Sequence, residues 1–184
     1  IDQQPKEPGL YIGMSRTLQQ LKQADRAQAV LQKGLDAQAS SELYRELGDL
    51  AFARGDYVGA AAAFENAVSR GLGNSEDFRT WARYADTLQW IPGRNDAARA
   101  AYSKARDLIL ARLEKHPTNL DWMSRAALYS AKIGDAKQAE ALILQLEPRV
   151  QDRPEALFRI GVSQEILGNR AAAVGAILKA KSLG

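Results

Sequence analysis

The sequence predicts an all-α fold built from repeated pairs of helices, and two observations support this prediction. Apolar residues recur at intervals of three and four, alanine is frequent, and runs of β-branched residues are lacking. The chain is also similar to itself, because residues 47–67 align without a gap with residues 160–180. We therefore expect helices throughout and no β-strand.

The repeat is defined by small residues at fixed intervals. In residues 47–67, Gly48 is followed by a Gly-Asp turn at Gly55 and then by Ala60 and Phe64. Small residues allow the two helices of a pair to approach closely, the turn glycine can end the first helix, and Phe64 fills the gap to the next pair. Corresponding residues recur twice more, as Ala127, Gly134, Ala139 and Ile143 and as Gly161, Gly168, Ala173 and Ile177.

A weaker copy of the repeat occupies the first forty residues. Here Ala24 and Asp25 match the Gly-Asp turn, and Ala29 matches the small residue of the second helix. Charged Lys33 and Asp36 then fall where the repeat places apolar residues. We expect this copy to be a degenerate repeat that caps the array.

The stretch LQWIPGRND, residues 88–96, interrupts the helical pattern. Pro92 disfavours helix at the residue before it, and Gly93 suits the position after a last helical turn, so the stretch is predicted to be a turn between two helices. This turn holds one residue more than the turns of the other copies. The alternative is a functional role for the insertion, in which Trp90 and Arg94 are presented at the rim of the array.

The helix that follows this turn is predicted to be long, spanning about residues 96–115. It exceeds the corresponding helices by about seven residues, close to two helical turns, so its apolar stripe stays in phase. We expect the extension to be packed rather than to project into solvent.

No set of residues indicates catalysis, a metal site or a cofactor. Cysteine is absent, and His116 is the single histidine, next to a proline in a loop, so no metal site can be completed and the serines lack a base. Glu42 and Glu46 lie one turn apart, and we assign them to a solvated helix face rather than to an acid–base pair. The Gly-x-Gly of residues 71–77 follows a helix and lacks a lysine, which indicates a loop between repeats. We predict no enzyme activity, no cofactor and no metal.

Composition argues against a nucleic-acid partner and against a membrane span. The formal charge of +3 comes from 25 Lys and Arg and 22 Asp and Glu spread along the chain, and no run of about 18 apolar residues occurs. The chain begins at Ile1 rather than Met, which indicates a processed or partial chain, and any signal sequence, anchor or partner domain upstream of Ile1 would not be seen in these residues. The compartment stays open between the bacterial cytoplasm and the periplasm.

Each copy of the repeat resembles a tetratricopeptide repeat (TPR), which consists of two antiparallel helices in about 34 residues. The resemblance implies a right-handed TPR solenoid of about five helix-turn-helix repeats, with about ten helices. We expect a single domain over residues 1–184. Its repeats are placed at approximately 10–40, 41–74, 78–119, 120–153 and 154–184.

The resemblance also implies that a protein or peptide partner binds a concave groove lined by the first helices. Matched residue by residue, the groove-facing candidates are Glu42, Arg45, Asp49, Phe52, Arg79, Asp86, Gln89, Asp121, Ser124, Leu128, Glu155, Phe158, Val162 and Glu165. Six of these are acidic and two are basic, so we expect a basic or neutral ligand segment. Some TPR domains bind acidic chaperone tails with a lysine and asparagine clamp, which is missing here because Arg45 and Asp49 occupy its first two places.

Over residues 84–184 the chain is similar to the C-terminal TPR region of bacterial eukaryotic-like serine/threonine protein kinases. A Trp-Ile-Pro-Gly-Arg turn, a lengthened helix and a closing Ala-Leu-Gly-like stretch are familiar there. The similarity implies a non-catalytic interaction scaffold, the sensory or recruiting arm of a larger bacterial signalling protein, although the chain contains no kinase motif. The alternative is a periplasmic TPR assembly module of an envelope polysaccharide-export or secretion system.

Several apolar residues have no clear packing partner in the repeat. Four aromatic residues are candidate anchors for a partner: Phe52, Trp90, Trp122 and Phe158. At the C-terminal end, Ile177, Leu178 and Leu183 lack a polar capping helix, so a homodimer through exposed end repeats is a further expectation.

Overall fold

The structure, a computed structural model, describes residues 7–69 and 77–184, and in these residues it contains helices and turns but no strand. Ten α-helices occur in the described residues, which confirms the all-α prediction. They are α1 (Pro8–Gln20), α2 (Ala24–Ala37), α3 (Ser41–Ala53), α4 (Tyr57–Ser69), α5 (Phe78–Leu88), α6 (Asn95–Lys115), α7 (Leu120–Ile133), α8 (Ala136–Leu146), α9 (Pro154–Ile166) and α10 (Arg170–Ser182). None of the described helices is long and apolar enough to cross a membrane.

The chain forms two compact units, Ile1–Ala98 and Arg99–Gly184. In the first unit α1 packs on α2, α2 on α3, α3 on α4, and α4 on α5. In the second unit α7 packs on α8 and on α9, and α9 packs on α10. Helix pairs are therefore stacked within each unit, as expected for a repeat whose single pair cannot cover its own apolar face. The single domain over residues 1–184 stays a prediction.

Close approach at one small residue characterises the helix pairs. A Cβ atom added to Gly48 on α3 would lie 2.9 Å from the ring of Phe64 on α4, and one added to Gly161 on α9 would lie 2.5 Å from Cγ1 of Ile177 on α10. Gly48 and Gly161 are both buried, as is Ala127, the corresponding residue of α7. The spacing that defined the repeat in the sequence therefore marks equivalent contacts.

A left-handed residue lies in the turn between the helices of each pair. Glycine supplies it in four turns, at Gly55, Gly93, Gly134 and Gly168, with φ between 77° and 89°. In the turn between α1 and α2 the residue is Lys22, with φ 58°. Since a Cβ atom makes this conformation costly for L-residues, Lys22 is a strained substitute for glycine.

The position of Lys22 corrects the predicted alignment of the first repeat. Lys22, rather than Ala24, corresponds to Gly55, so the true small residue of the second helix is Ala27 instead of Ala29. Ala27 and Leu31 are fully buried. The alignment was wrong by two residues because it looked for a small turn residue where the chain has a lysine.

This correction removes the argument for a degenerate first repeat. Lys33 and Asp36 are exposed and lie beside the packing positions rather than on them. The core of the repeat is complete, with Tyr11 of α1 packed in one cluster with Leu31 and Leu35 of α2.

The long helix and the turn before it agree with their predictions. Helix α5 ends at Leu88, Gly93 is left-handed, and α6 has 21 residues. Ile109 and Leu113 in its extension are buried, which confirms that the extension is packed. The loop predicted for residues 71–77 lies outside the described residues except for its last, Asp77, whose side chain caps α5.

Replacing Lys22 with glycine is expected to stabilise the protein by roughly 0.5–1 kcal/mol, because relief of the left-handed strain exceeds the entropy that glycine adds to the unfolded chain. Denaturant unfolding followed by circular dichroism measures the change. Lys22→Ala is the control, since it removes the charge and keeps the Cβ atom. A glycine variant no more stable than the alanine variant would contradict the assignment of strain.

Replacing Gly48 with alanine is expected to destabilise the protein by about 1–3 kcal/mol, because the added methyl group overlaps the Phe64 ring. Gly175 in the middle of α10 is the matched control, since a Cβ there meets no atom within 4 Å. Gly175→Ala should stabilise by about 0.5–1 kcal/mol through helix propensity alone. Equal effects of the two substitutions in thermal unfolding would exclude the close approach.

Candidate binding surface on the first helices

We use the term A-helix face for the side of α1, α3 and α5 in the first unit, and of α7 and α9 in the second, that carries the predicted groove residues. In the first unit, ion pairs link successive first helices on this face. Arg16 of α1 donates to Glu46 of α3 through Nε and Nη2, at 3.0 and 2.9 Å. Asp49 of α3 accepts from Nε and Nη2 of Arg83 of α5, at 2.8 and 2.7 Å. Arg16 contacts both carboxylate oxygens of Glu46, and such a bidentate contact fixes the guanidinium plane as well as its position, whereas both nitrogens of Arg83 contact Oδ1 of Asp49.

Glu46 differs from its predicted role. The residue is only 5% exposed and both of its carboxylate oxygens accept from Arg16, so it does not lie on a solvated face. The hydrogen bond and the charge of Glu46 raise the pKa of Arg16. A buried carboxylate needs such a partner, and the pair joins α1 to α3.

In the second unit, a single carboxylate is shared by two arginines. Asp121 of α7 accepts from Nε of Arg125 at 3.1 Å and from Nη1 of Arg159 of α9 at 2.9 Å. Burial by itself raises the pKa of Asp121, but the hydrogen bonds and charges of the two arginines outweigh burial and hold that pKa below its ordinary value. The side chain of Arg159 is only 15% exposed, so this cluster is part of the packed structure.

A chain of aromatic rings lies at the end of α3 and α5 in the first unit. Phe52 contacts Tyr57 edge to face, with ring centroids 5.3 Å apart, and Tyr57 stacks on Trp90 at 5.2 Å. The guanidinium of Arg83 lies over the Phe52 ring, 5.2 Å from its centroid. Trp90 remains 61% exposed. The turn that carries Trp90 thus contributes to packing and also presents one large ring to solvent.

The other residue named for that turn, Arg94, has a local role. It is exposed, and its side chain hydrogen-bonds the hydroxyl of Tyr84 on α5. Burial and the charge of Glu65 raise the pKa of Tyr84, and Arg94 opposes that effect. The hydrogen bond ties the turn to the helix before it.

An open cleft of about 460 Å³ lies between α9 and α10, and we call it the α9–α10 cleft. Phe158, Ile177 and Ala180 supply apolar surface, Arg159 and Lys181 supply positive charge, and Glu155 supplies one carboxylate. Phe158 is 53% exposed. A large exposed apolar side chain beside fixed charges is the usual character of a protein-binding surface.

The predicted groove residues differ in accessibility. Arg79, Gln89, Glu155, Phe158 and Glu165 are exposed, whereas Glu42, Arg45, Asp49, Phe52, Asp86, Asp121, Leu128 and Val162 are half-buried. Ser124 is fully buried, and its hydroxyl donates to the carbonyl of Asp121 and accepts from Nη1 of Arg159. The role expected of Ser124 is therefore corrected, because it supports Arg159 rather than facing a ligand.

The structure also changes the expected charge of the surface. Sequence matching overlooked four arginines that pair with acidic residues on the A-helix face: Arg16, Arg83, Arg125 and Arg159. Three of them share one place in the repeat, three residues before Asp86, Leu128 and Val162. That shared place was a signal in the sequence. Because Asp49 and Asp121 are neutralised by these partners, counting the acidic residues overstated the negative charge.

The remaining candidates, His116 and Trp122, contact each other. His116 is exposed and its ring meets Trp122 edge to face at 5.5 Å. Trp122 is half-buried, so it is a weaker anchor than Trp90 or Phe158. Within residues 7–69 and 77–184, no group of three or more histidine and acidic side chains is placed to hold a metal ion.

Comparison with solved structures finds the same architecture in TPR proteins. YrrB, described as a TPR protein with an unusual peptide-binding site, has 18% sequence identity and a TM-score of 0.60 over 97% of this chain and 87% of its own. PilW, described as a type IV pilus biogenesis factor, has 16% identity and a TM-score of 0.67 over 98% of this chain and 79% of its own. MamA from Desulfovibrio magneticus has 15% identity and a TM-score of 0.59 over 100% of this chain and 96% of its own.

This chain has the TPR fold. No model of a protein family matches it, and no curated protein matches its sequence. The identities of 15% to 18% fall in a range where the fold is shared and the function is not determined by similarity.

Asp121→Asn is expected to destabilise the second unit by about 1 kcal/mol at neutral pH, because Arg125 and Arg159 lose a charged acceptor. The pKa of Asp121 is lowered by folding, so its contribution is complete above about pH 3.9, the ordinary value, and is lost as the pH falls through the lower folded value. Denaturant unfolding between neutral and acidic pH tests this.

Exposed Asp152 provides the control for this substitution. Asp152→Asn should leave stability nearly unchanged at every pH, whereas the deficit of Asp121→Asn should shrink in acid. A deficit that stays constant down to the lowest pH would show that the carboxylate charge of Asp121 does not stabilise the cluster.

Proposed function

We propose that the chain is a non-catalytic interaction scaffold that binds a protein or peptide partner on the A-helix face. The observation that carries this proposal is Phe158, which lies at a predicted groove position and keeps 53% of its surface exposed beside Arg159. The exposed half of the Phe158 side chain makes no contact within its own fold, and it can anchor a partner by burial.

The first unit supports the same function with a different set of side chains. Trp90 presents an exposed ring that is held in place by stacking on Tyr57, and Phe52 continues the aromatic surface toward Asp49 and Arg83. Aromatic rings that are already fixed lose little entropy when a partner covers them. The fourteen predicted residues stay the proposed site, with Ser124 in a supporting role.

The proposal extends to the cellular context in two forms. The first is the sensory or recruiting arm of a bacterial signalling protein such as a serine/threonine kinase, which rests only on the resemblance inferred from the sequence pattern of residues 84–184. The second is a periplasmic assembly module, with which the structural likeness to PilW is compatible. The complete reading frame separates them, since a kinase domain encoded upstream supports the first and a signal peptide supports the second.

Photo-crosslinking tests the proposed surface directly. A benzoylphenylalanine is placed at Gln89, at the end of α5, or at Phe158 of α9. Either should give partner adducts in extract of the source bacterium. Val58 of α4 and Leu144 of α8 are matched controls, because they are exposed apolar residues on second helices. Adduct yield from the first pair is expected to be several-fold higher. Equal or inverted yields would place the partner on the second helices and contradict the proposal.

A further inference from the structure

The α9–α10 cleft lies in a unit with a pronounced charge imbalance. Residues 99–184 contain 14 Lys and Arg against 9 Asp and Glu, a net charge of +5, whereas residues 1–98 contain 11 and 13, a net charge of −2. The total of +3 hides this difference. A partner of the second unit therefore meets a cationic surface, and long-range attraction favours an acidic one.

The lining of the cleft holds two cations, Arg159 and Lys181, against one carboxylate, Glu155. Arg159 lines the α9–α10 cleft and also a smaller cavity of about 90 Å³, which Arg153 and Glu155 help to line. Burial lowers the pKa of the Arg159 guanidinium, and the neighbouring charge of Arg125 lowers it further, against the opposing effect of Asp121. A carboxylate from a partner would add a second negative neighbour to this half-buried cation.

A ligand of the α9–α10 cleft must offer both an apolar side chain and a charged group. Phe158 lies on α9 and Ile177 lies on α10, and Ala180 and Lys181 follow Ile177 about one turn later on α10. A side chain of leucine or phenylalanine size fits the apolar part, and a carboxylate about one helical turn away in the same segment reaches a cation. An amphipathic helix presents this combination on one side.

We propose that the α9–α10 cleft docks an acidic amphipathic segment of a partner protein, with an apolar side chain against Phe158 and Ile177 and carboxylates at Arg159 and Lys181. The inference rests on the proposed scaffold function and adds the chemistry of the partner. It replaces, for the second unit, the basic or neutral segment expected from the count of acidic groove residues. That expectation stays a prediction for the first unit.

Two labelled helical peptides test the proposal by fluorescence anisotropy with the full chain. They share their leucine positions and differ only in carrying glutamate or lysine at the polar positions. The glutamate peptide is expected to bind about tenfold or more tightly than the lysine peptide, with affinity that falls as salt is raised. Equal affinities, tighter binding of the lysine peptide, or no binding of either would overturn the proposal.

Matched substitutions locate the binding. Lys181→Glu and Phe158→Ala should each weaken the glutamate peptide about tenfold, since each removes one of the two required contacts. Exposed Lys137 and Leu144 on α8 provide the controls Lys137→Glu and Leu144→Ala, which should leave affinity unchanged. All four residues are exposed, and circular dichroism checks that the variants remain folded.

Two other occupants of the cleft give different results. If Lys181→Glu abolishes binding and Phe158→Ala has no effect, the surface binds polyanions in general and the amphipathic segment is wrong. If the chain forms a dimer that Phe158→Ala dissociates in analytical ultracentrifugation, the occupant is a second copy. If crosslinking at Phe158 persists but the glutamate peptide is not preferred, only the proposal of an acidic partner is wrong. If crosslinking is lost, the proposed scaffold function is wrong.

Discussion

The fold depends on a close contact between a small residue on the first helix of a pair and a large apolar residue on the second. Gly48 against Phe64 and Gly161 against Ile177 leave no space for a methyl group. Because this contact recurs at the same place in the repeat, the side chains of the first helices also recur in register. Asp49 pairs with Arg83, which lies about one helical turn before Asp86, the residue of α5 that corresponds to Asp49.

The same contact explains how much of the structure could be predicted from sequence. The helices, the turn at residues 88–96 and the packed extension of α6 followed from small residues, glycine and apolar periodicity, which act locally. The first repeat was misaligned because Lys22 adopts a conformation for which the sequence gives no sign. Strain of this kind is tolerated by the surrounding packing and is invisible in local propensity.

The contacts on the candidate binding surface were less accessible to sequence analysis than the fold. Phe158 was identified as exposed, yet Arg159 beside it was not assigned to the surface, although arginine occupies that place in three repeats. Side chains as long as arginine reach positions that their place on a helix does not indicate. Asp49 and Asp121 are already neutralised by arginines of neighbouring helices. The order of residues along one helix does not reveal such contacts between helices.

The ion pairs on the A-helix face and the glycine contacts inside the helix pairs respond differently to the medium. Asp49 and Arg83 are each more than one third exposed, so dissolved ions screen their attraction, while the Gly48 contact with Phe64 is apolar and buried. Within the first unit, the Asp49–Arg83 link between α3 and α5 is therefore more sensitive to salt than the packing of α3 on α4. High ionic strength would weaken this ion pair first, whereas buried Glu46 leaves the link between α1 and α3 less screened.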